Sequence, residues 1–149
     1  MKTALITTTI HVPEAIDGYL ANFAKNGHRD VEVVVIGDNK SPAETGDYLA
    51  GLAERTGYTI HWWDVARQKE WLKDLPELDQ LLPYNSVQRR NLAYLQAVLI
   101  GAERIITVDD DNHATDDDFI GGHEVVGQCA AVPVVSSSSS RVTASTRLR

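Results

Sequence analysis

Residues 104–112 read RIITVDDDN, a short apolar run that empties into three consecutive aspartates, Asp109, Asp110 and Asp111. The run 105–108 is β-branched and bounded by charge, so it is expected as a buried strand rather than a helix. Carboxylates crowded at a strand end repel one another, and a cation or a donor-rich ligand offsets that repulsion. Hard divalent ions take oxygen ligands, and Mg2+ is often shared between one or two carboxylates and a substrate's phosphates. The spacing therefore predicts a metal-assisted phosphate or pyrophosphate site. A solvated loop is the alternative for any acidic triplet, and it is the expectation for Asp116, Asp117 and Asp118 downstream. Position at the carboxyl end of a strand favours a site for the first triplet, because α/β sheets bind ligands there.

Three other segments can converge on the same sheet edge. Thr7, Thr8 and Thr9 close the first strand-like run ahead of Ile10 and His11, and their hydroxyls and amides suit a nucleobase or ribose. Simple β-propensity explains threonines there equally well. Gly37-Asp38 closes the second run, where a carboxylate can accept from a base N–H or a ribose hydroxyl; a turn aspartate is the plainer reading. Arg89, Arg90 and Asn91 lie in the first turns of a helix, where a guanidinium fork and the helix amino terminus both favour anions. Adjacent arginines on a helix point in different directions, so one faces the site, and Arg90 is the expected one.

The elements that must hold these residues alternate between strand and helix, which predicts an α/β fold with a mostly parallel sheet flanked by helices. Residues 3–10 form the first strand. Pro13 opens a helix that buries Ile16, Leu20 and Phe23 and closes at Gly27. Residues 31–36 form the second strand. Ser41-Pro42 starts a second helix through Tyr48, Leu49 and Leu52 to Gly57, and residues 58–62 form a third strand. The pattern loosens between Asp64 and Pro83 into a short helix and loop. Asn85 and Ser86 then cap a helix whose stripe is Val87, Leu92, Leu95 and Leu99, ending at Gly101. Carboxylates at 116–118 cap a last helix over 119–126.

The bulk numbers agree with one domain. The chain has 149 residues, 43% hydrophobic and 23% charged, enough to bury about 70% of its unfolded surface. A net charge of −7 argues against nucleic-acid binding, which needs a basic footprint. The single cysteine, Cys129, excludes an internal disulfide and a cysteine zinc cluster. No apolar run approaches the roughly 20 residues of a membrane span, and no signal peptide is visible, so a cytoplasmic protein is expected. Residues 1–135 are expected to form the domain, and the Ser/Arg-rich residues 136–149 a loop or disordered tail.

The blocks ITTTIHVP, VVVIGD, NSVQRRNLAYLQAVLIGAERIITVDDDN and DDDFIGGH resemble the nucleotide-sugar glycosyltransferases of the A-type fold. The likeness covers roughly residues 3–127. It is nearest to the reversibly glycosylated polypeptide group, which includes UDP-arabinopyranose mutases, and to small bacterial proteins of the majastridin kind. It implies the Rossmann-like nucleotide-binding half of that fold, with a DxD element holding metal and nucleotide-sugar, UDP-sugar above all. By that resemblance Thr8, Ile10 and Asp38 frame the uracil and ribose, and Arg90 approaches the base or phosphates. Asp109 and Asp110 face the ribose and sugar, while Asp111, with Asp109 the second candidate, binds Mn2+ or Mg2+. Spacing alone leaves open which aspartate touches the metal. A helix-surface role suits His123 better than that of a late ligand.

Proteins of this type continue well past the acidic strand, and their later half supplies acceptor contacts and any catalytic base. Here the resemblance stops near Val135, which implies either a chain truncated or frame-shifted at its carboxyl end or one whose second half has been lost and replaced. A non-catalytic nucleotide-binding module, or a remnant of a transferase, is therefore the alternative to an active enzyme with an unidentified acceptor. A nucleotidyltransferase is a third reading, weakened because TTTIHVP lacks a glycine-rich phosphate loop. The apolar run 130–135 would lie at or near a sheet edge, which predicts self-association or poor solubility of the monomer.

Overall fold

The computed structural model describes residues 1–115 and 117–127, with backbone alone from 124. Asp116, Cys129, the run 130–135 and the tail 136–149 lie outside the described residues. So do the expectations attached to them, including the edge strand and the boundary at 135.

Among the described residues four strands form one parallel sheet: β1 (Thr3–Thr9), β2 (Val31–Gly37), β3 (Thr59–Trp63) and β4 (Arg104–Thr107). Their spatial order is β3-β2-β1-β4, so the chain winds outward from β1 and then returns to its other side. That reversal leaves a crevice at the carboxyl ends of β1 and β4, the place where doubly wound sheets bind ligands. The fold is α/β with an all-parallel sheet and helices on both faces, as the alternating pattern predicts.

Apolar strand residues alternate between two cores. Leu5, Val33, Val35 and Ile106 pack beneath α1 (Ala15–Lys25) and α2 (Thr45–Thr56), with Ile16, Leu20, Phe23, Leu49 and Leu52. Ala4, Ile6, Val34 and Ile36 pack on the other face against Leu92, Ala93 and Ala97 of α5 (Arg90–Leu99). Gly57, at φ 74°, ends α2 in the left-handed region that glycine adopts without strain. Among the described residues no helix is long and apolar enough to cross a membrane.

Several expectations need correction. Helix α2 starts at Thr45, because Ser41 is used earlier: its hydroxyl accepts from the Asp38 N–H at 2.8 Å and donates to the Thr9 carbonyl at 2.7 Å. Residues 64–83 hold two helices, α3 (Val65–Leu72) and α4 (Pro76–Leu81), rather than one helix and a loop. The strand ahead of the aspartates is at the sheet's edge among the described residues, and Thr107 is exposed. The stripe expected for α5 is mostly wrong. Leu92 is buried, but Leu95 is 38% exposed, Leu99 65% and Val87 83%. Alanines at 93 and 97 let the helix lie close on the sheet, so the small residues turn inward and the large ones outward.

At the amino-terminal end of the strands, Glu32 lies between Lys2 Nζ and His61 Nε2, each at 2.6 Å. Burial pushes its carboxyl up, but hydrogen bonds and charge from Lys2 and His61 outweigh that and hold it below the usual range. A carboxylate with a depressed folded pKa stabilises the protein above its unfolded value, and that stability is lost as pH falls through the folded value. The expected result is that Glu32→Gln weakens the protein at neutral pH but flattens the loss of stability below about pH 4.5. Urea midpoints across the acid range check it, and parallel curves for both proteins would refute it.

Candidate nucleotide cleft

Thr8, Thr9 and Ile10 leave β1 into a cavity of about 250 Å³, which Asp38, Lys40, Asn85, Ser86, Val87 and Asp110 also line. Each wall has a local cause. Asp38 follows β2 and is 8% exposed; its Oδ1 accepts from the Asn39 N–H at 2.6 Å and its Oδ2 from the Asn85 N–H at 2.8 Å. The second bond spans two loops and fixes the wall formed by residues 85–87. Asn85 sits at φ 54°, a left-handed conformation that asparagine tolerates better than most residues. Ser86 caps the 3-10 turn Val87–Arg89 that leads into α5, its hydroxyl accepting from the Gln88 N–H at 3.2 Å.

The three aspartates have different surroundings. Asp110 turns into the cleft, where its Oδ2 lies 2.6 Å from the Thr9 hydroxyl. That hydroxyl is also 2.8 Å from the His11 carbonyl. It has one proton, which the nearer and charged Asp110 carboxylate takes in preference, leaving the other lone pairs of Asp110 for a ligand. Asp109 accepts from Arg90 Nη2 in a half-exposed ion pair. Asp111 is exposed and is not part of the cleft wall. Burial pushes the Tyr19 phenol up, with the charge of Asp109 adding to the effect.

Thus Thr8, Ile10, Asp38 and Asp110 line one cavity, and Arg90 and Asp109 are paired through the triplet. Asp111 shares the loop without reaching the cavity. His123 hydrogen-bonds the Phe119 carbonyl of its own helix at 2.8 Å and stacks near that ring. Among the described residues, no group of three histidine, cysteine, aspartate or glutamate side chains is arranged to hold a metal ion.

Two residues behind the cleft hold its wall: Arg89, the arginine expected to face away from the site, and Gln68, which no sequence pattern marks. Arg89 is 1% exposed; its Nε donates to Gln68 Oε1 at 2.7 Å, its Nη1 donates to the Leu82 carbonyl, and its guanidinium lies 3.8 Å from the Tyr84 ring centre. Gln68, fully buried, donates to the carbonyls of Gly37 and Trp63 at 2.8 and 2.7 Å. Together they tie the segment 82–89 to the ends of β2 and β3. Burial pushes the Tyr84 phenol up, and the Arg89 cation beside it pulls the other way. Adjacent arginines with opposite fates were foreseeable from helix geometry, but nothing in the loose stretch around Gln68 marked it out.

No protein-family model matches the chain, and neither does any curated protein. Among solved structures, the crystal structure of S. aureus TarS 1-349 is similar with a TM-score of 0.49 and 20% identity, over 86% of this chain and 33% of that one. A second crystal structure, of S. aureus TarS, gives 0.48 and 18% over 86% and 20% respectively. The chain therefore spans a third or less of the length of these neighbours. At that level of likeness the fold class rests on the chain's own sheet order.

Proposed function

We propose that the cleft binds the nucleotide end of a nucleotide-sugar, and that the chain is the donor-binding part of a glycosyltransferase of the A-type fold. One observation carries this reading: Asp38 and Asp110 face a common cavity at the sheet's reversal point, with an arginine–aspartate pair beside it. Apolar Ile10 and Val87 suit the faces of a base, while the Asp38 carboxylate retains lone pairs for a base N–H or ribose hydroxyl. UDP-sugar as donor, and kinship with the reversibly glycosylated polypeptide group, rest on the sequence motifs alone.

A hard divalent cation fits the donor set of the triplet, which is all carboxylate oxygen. Among the described residues no three such ligands converge, so the fit would be to an ion that also takes oxygens from a diphosphate ligand. Asp111 would hold it, and Asp109 would join only by releasing Arg90. When bound, Mn2+ or Mg2+ supplies charge neutralisation for the departing diphosphate. The chain's own part is orientation: Asp38 and residues 85–87 fix one side of the nucleotide, and Asp110 and Thr9 the other.

UDP with Mn2+ is expected to raise the melting temperature by several degrees, since ligand at about 100 times its Kd adds roughly 2.7 kcal/mol. Asp111→Ala should remove that shift, and a mutant stabilised as fully as the parent would overturn the metal assignment. Release of UDP from UDP-sugars above a metal-free control separates a transferase from a binding module.

A further inference from the structure

A second cavity, of about 360 Å³, opens between the β2–α2 loop and the start of α3. It adjoins the nucleotide cleft, with Asp38 common to both walls. From its lining we infer a binding subsite for a neutral carbohydrate ring, distinct from the nucleotide site and independent of any metal.

The argument begins with Trp62, the half-buried indole that lines this cavity. Its ring presses on Gly37, where an added Cβ would come within 2.5 Å of Cη2, and on Gly46, where it would lie 3.2 Å from Nε1. Two glycines thus hold the indole against backbone, a rigid apolar platform with few rotamers to lose on binding. Pro42 adds a second apolar surface.

The polar side chains of this cavity are two carboxylates, an amide and a hydroxyl: Asp38, Asp64, Asn39 and Ser41, the last already engaged by the Asp38 N–H and the Thr9 carbonyl. Asp64 caps α3, its Oδ1 accepting from the Arg67 N–H at 2.7 Å, so Oδ2 is left for a ligand. No lysine, arginine or histidine lines the cavity, so a phosphate or carboxylate ligand meets only like charge. An aromatic platform beside hydrogen-bond acceptors selects a ligand with an apolar face and a rim of hydroxyl donors. A pyranose ring has both, with C–H groups for the indole and hydroxyls for the carboxylates. A nucleobase shares the flat face but presents fewer donors.

The test is saturation-transfer NMR on the full chain with methyl glycosides of common hexoses, and separately with uridine. Binding in the millimolar range is expected, as for any small neutral ligand on one platform. The signal should concentrate on sugar C–H protons and persist without divalent metal. Ala66→Phe, which puts a bulky ring at an exposed helical position on the cavity wall, is expected to weaken it about fivefold or more. Asp64→Asn, which retains a capping oxygen, should weaken it less. No transfer from any glycoside, transfer unchanged by Ala66→Phe, or uridine occupying this cavity in preference to sugars would each overturn the inference. Loss of UDP binding in Asp111→Ala leaves these readouts untouched, so the two proposals fail separately.

Discussion

Asp38→Ala is expected to lower the melting temperature by about 6–10 °C and to abolish nucleotide-induced stabilisation. The first effect follows from the two backbone N–H groups that its carboxylate accepts, one from Asn39 and one from Asn85. Stripped of a partner in a part-buried site, such groups cost about 1–1.5 kcal/mol each, the lower part of the usual range, and a domain of this size loses roughly 3 °C per kcal/mol. The second effect follows because the Asn85 bond holds the wall opposite Thr8 and Ile10. Asp38→Asn keeps one acceptor oxygen and should fall between parent and alanine variant in stability. Differential scanning calorimetry with and without UDP reads both effects. An alanine variant that still gains the full nucleotide shift would remove Asp38 from the site.

Arg89→Ala should be at least as damaging although the side chain touches no ligand. Its loss leaves the Leu82 carbonyl and Gln68 Oε1 without their donors and opens a void against Tyr84. The combined cost is about 3–5 kcal/mol. Arg89→Lys keeps the charge but cannot reach two acceptors as a planar fork, so it should recover only part of the stability. Urea unfolding measures this directly. A loss under 1 kcal/mol would mean that the buried guanidinium contributes little net energy, its desolvation offsetting its bonds.

Much of the architecture was readable because short β-branched runs and capped apolar stripes point to the same elements in four places. Strands 3–9 and 31–37, the burial of Ile16, Leu20 and Phe23, and the glycine that ends α2 all follow from local chemistry. In helix α5 hydrophobic size is a poor guide to burial. Where a helix must approach a sheet closely, Ala93 and Ala97 do the packing and Leu99 is left outside. The cleft was partly legible. Strand ends carry Thr8, Asp38 and Asp110 to one edge, as a parallel sheet must. The Asn85 wall was not foreseen, since it depends on a backbone N–H meeting a carboxylate 47 positions away. Sequence spacing carries no signal for such a contact.

One carboxylate bounds two cavities, and thermodynamics attaches a rule to that sharing. A guest on either side that pulls on Asp38 alters the other guest's affinity, and the factor is identical in both directions. Cooperation or antagonism between the two compartments is thus a single number, obtainable by titrating one partner in the presence and absence of the other.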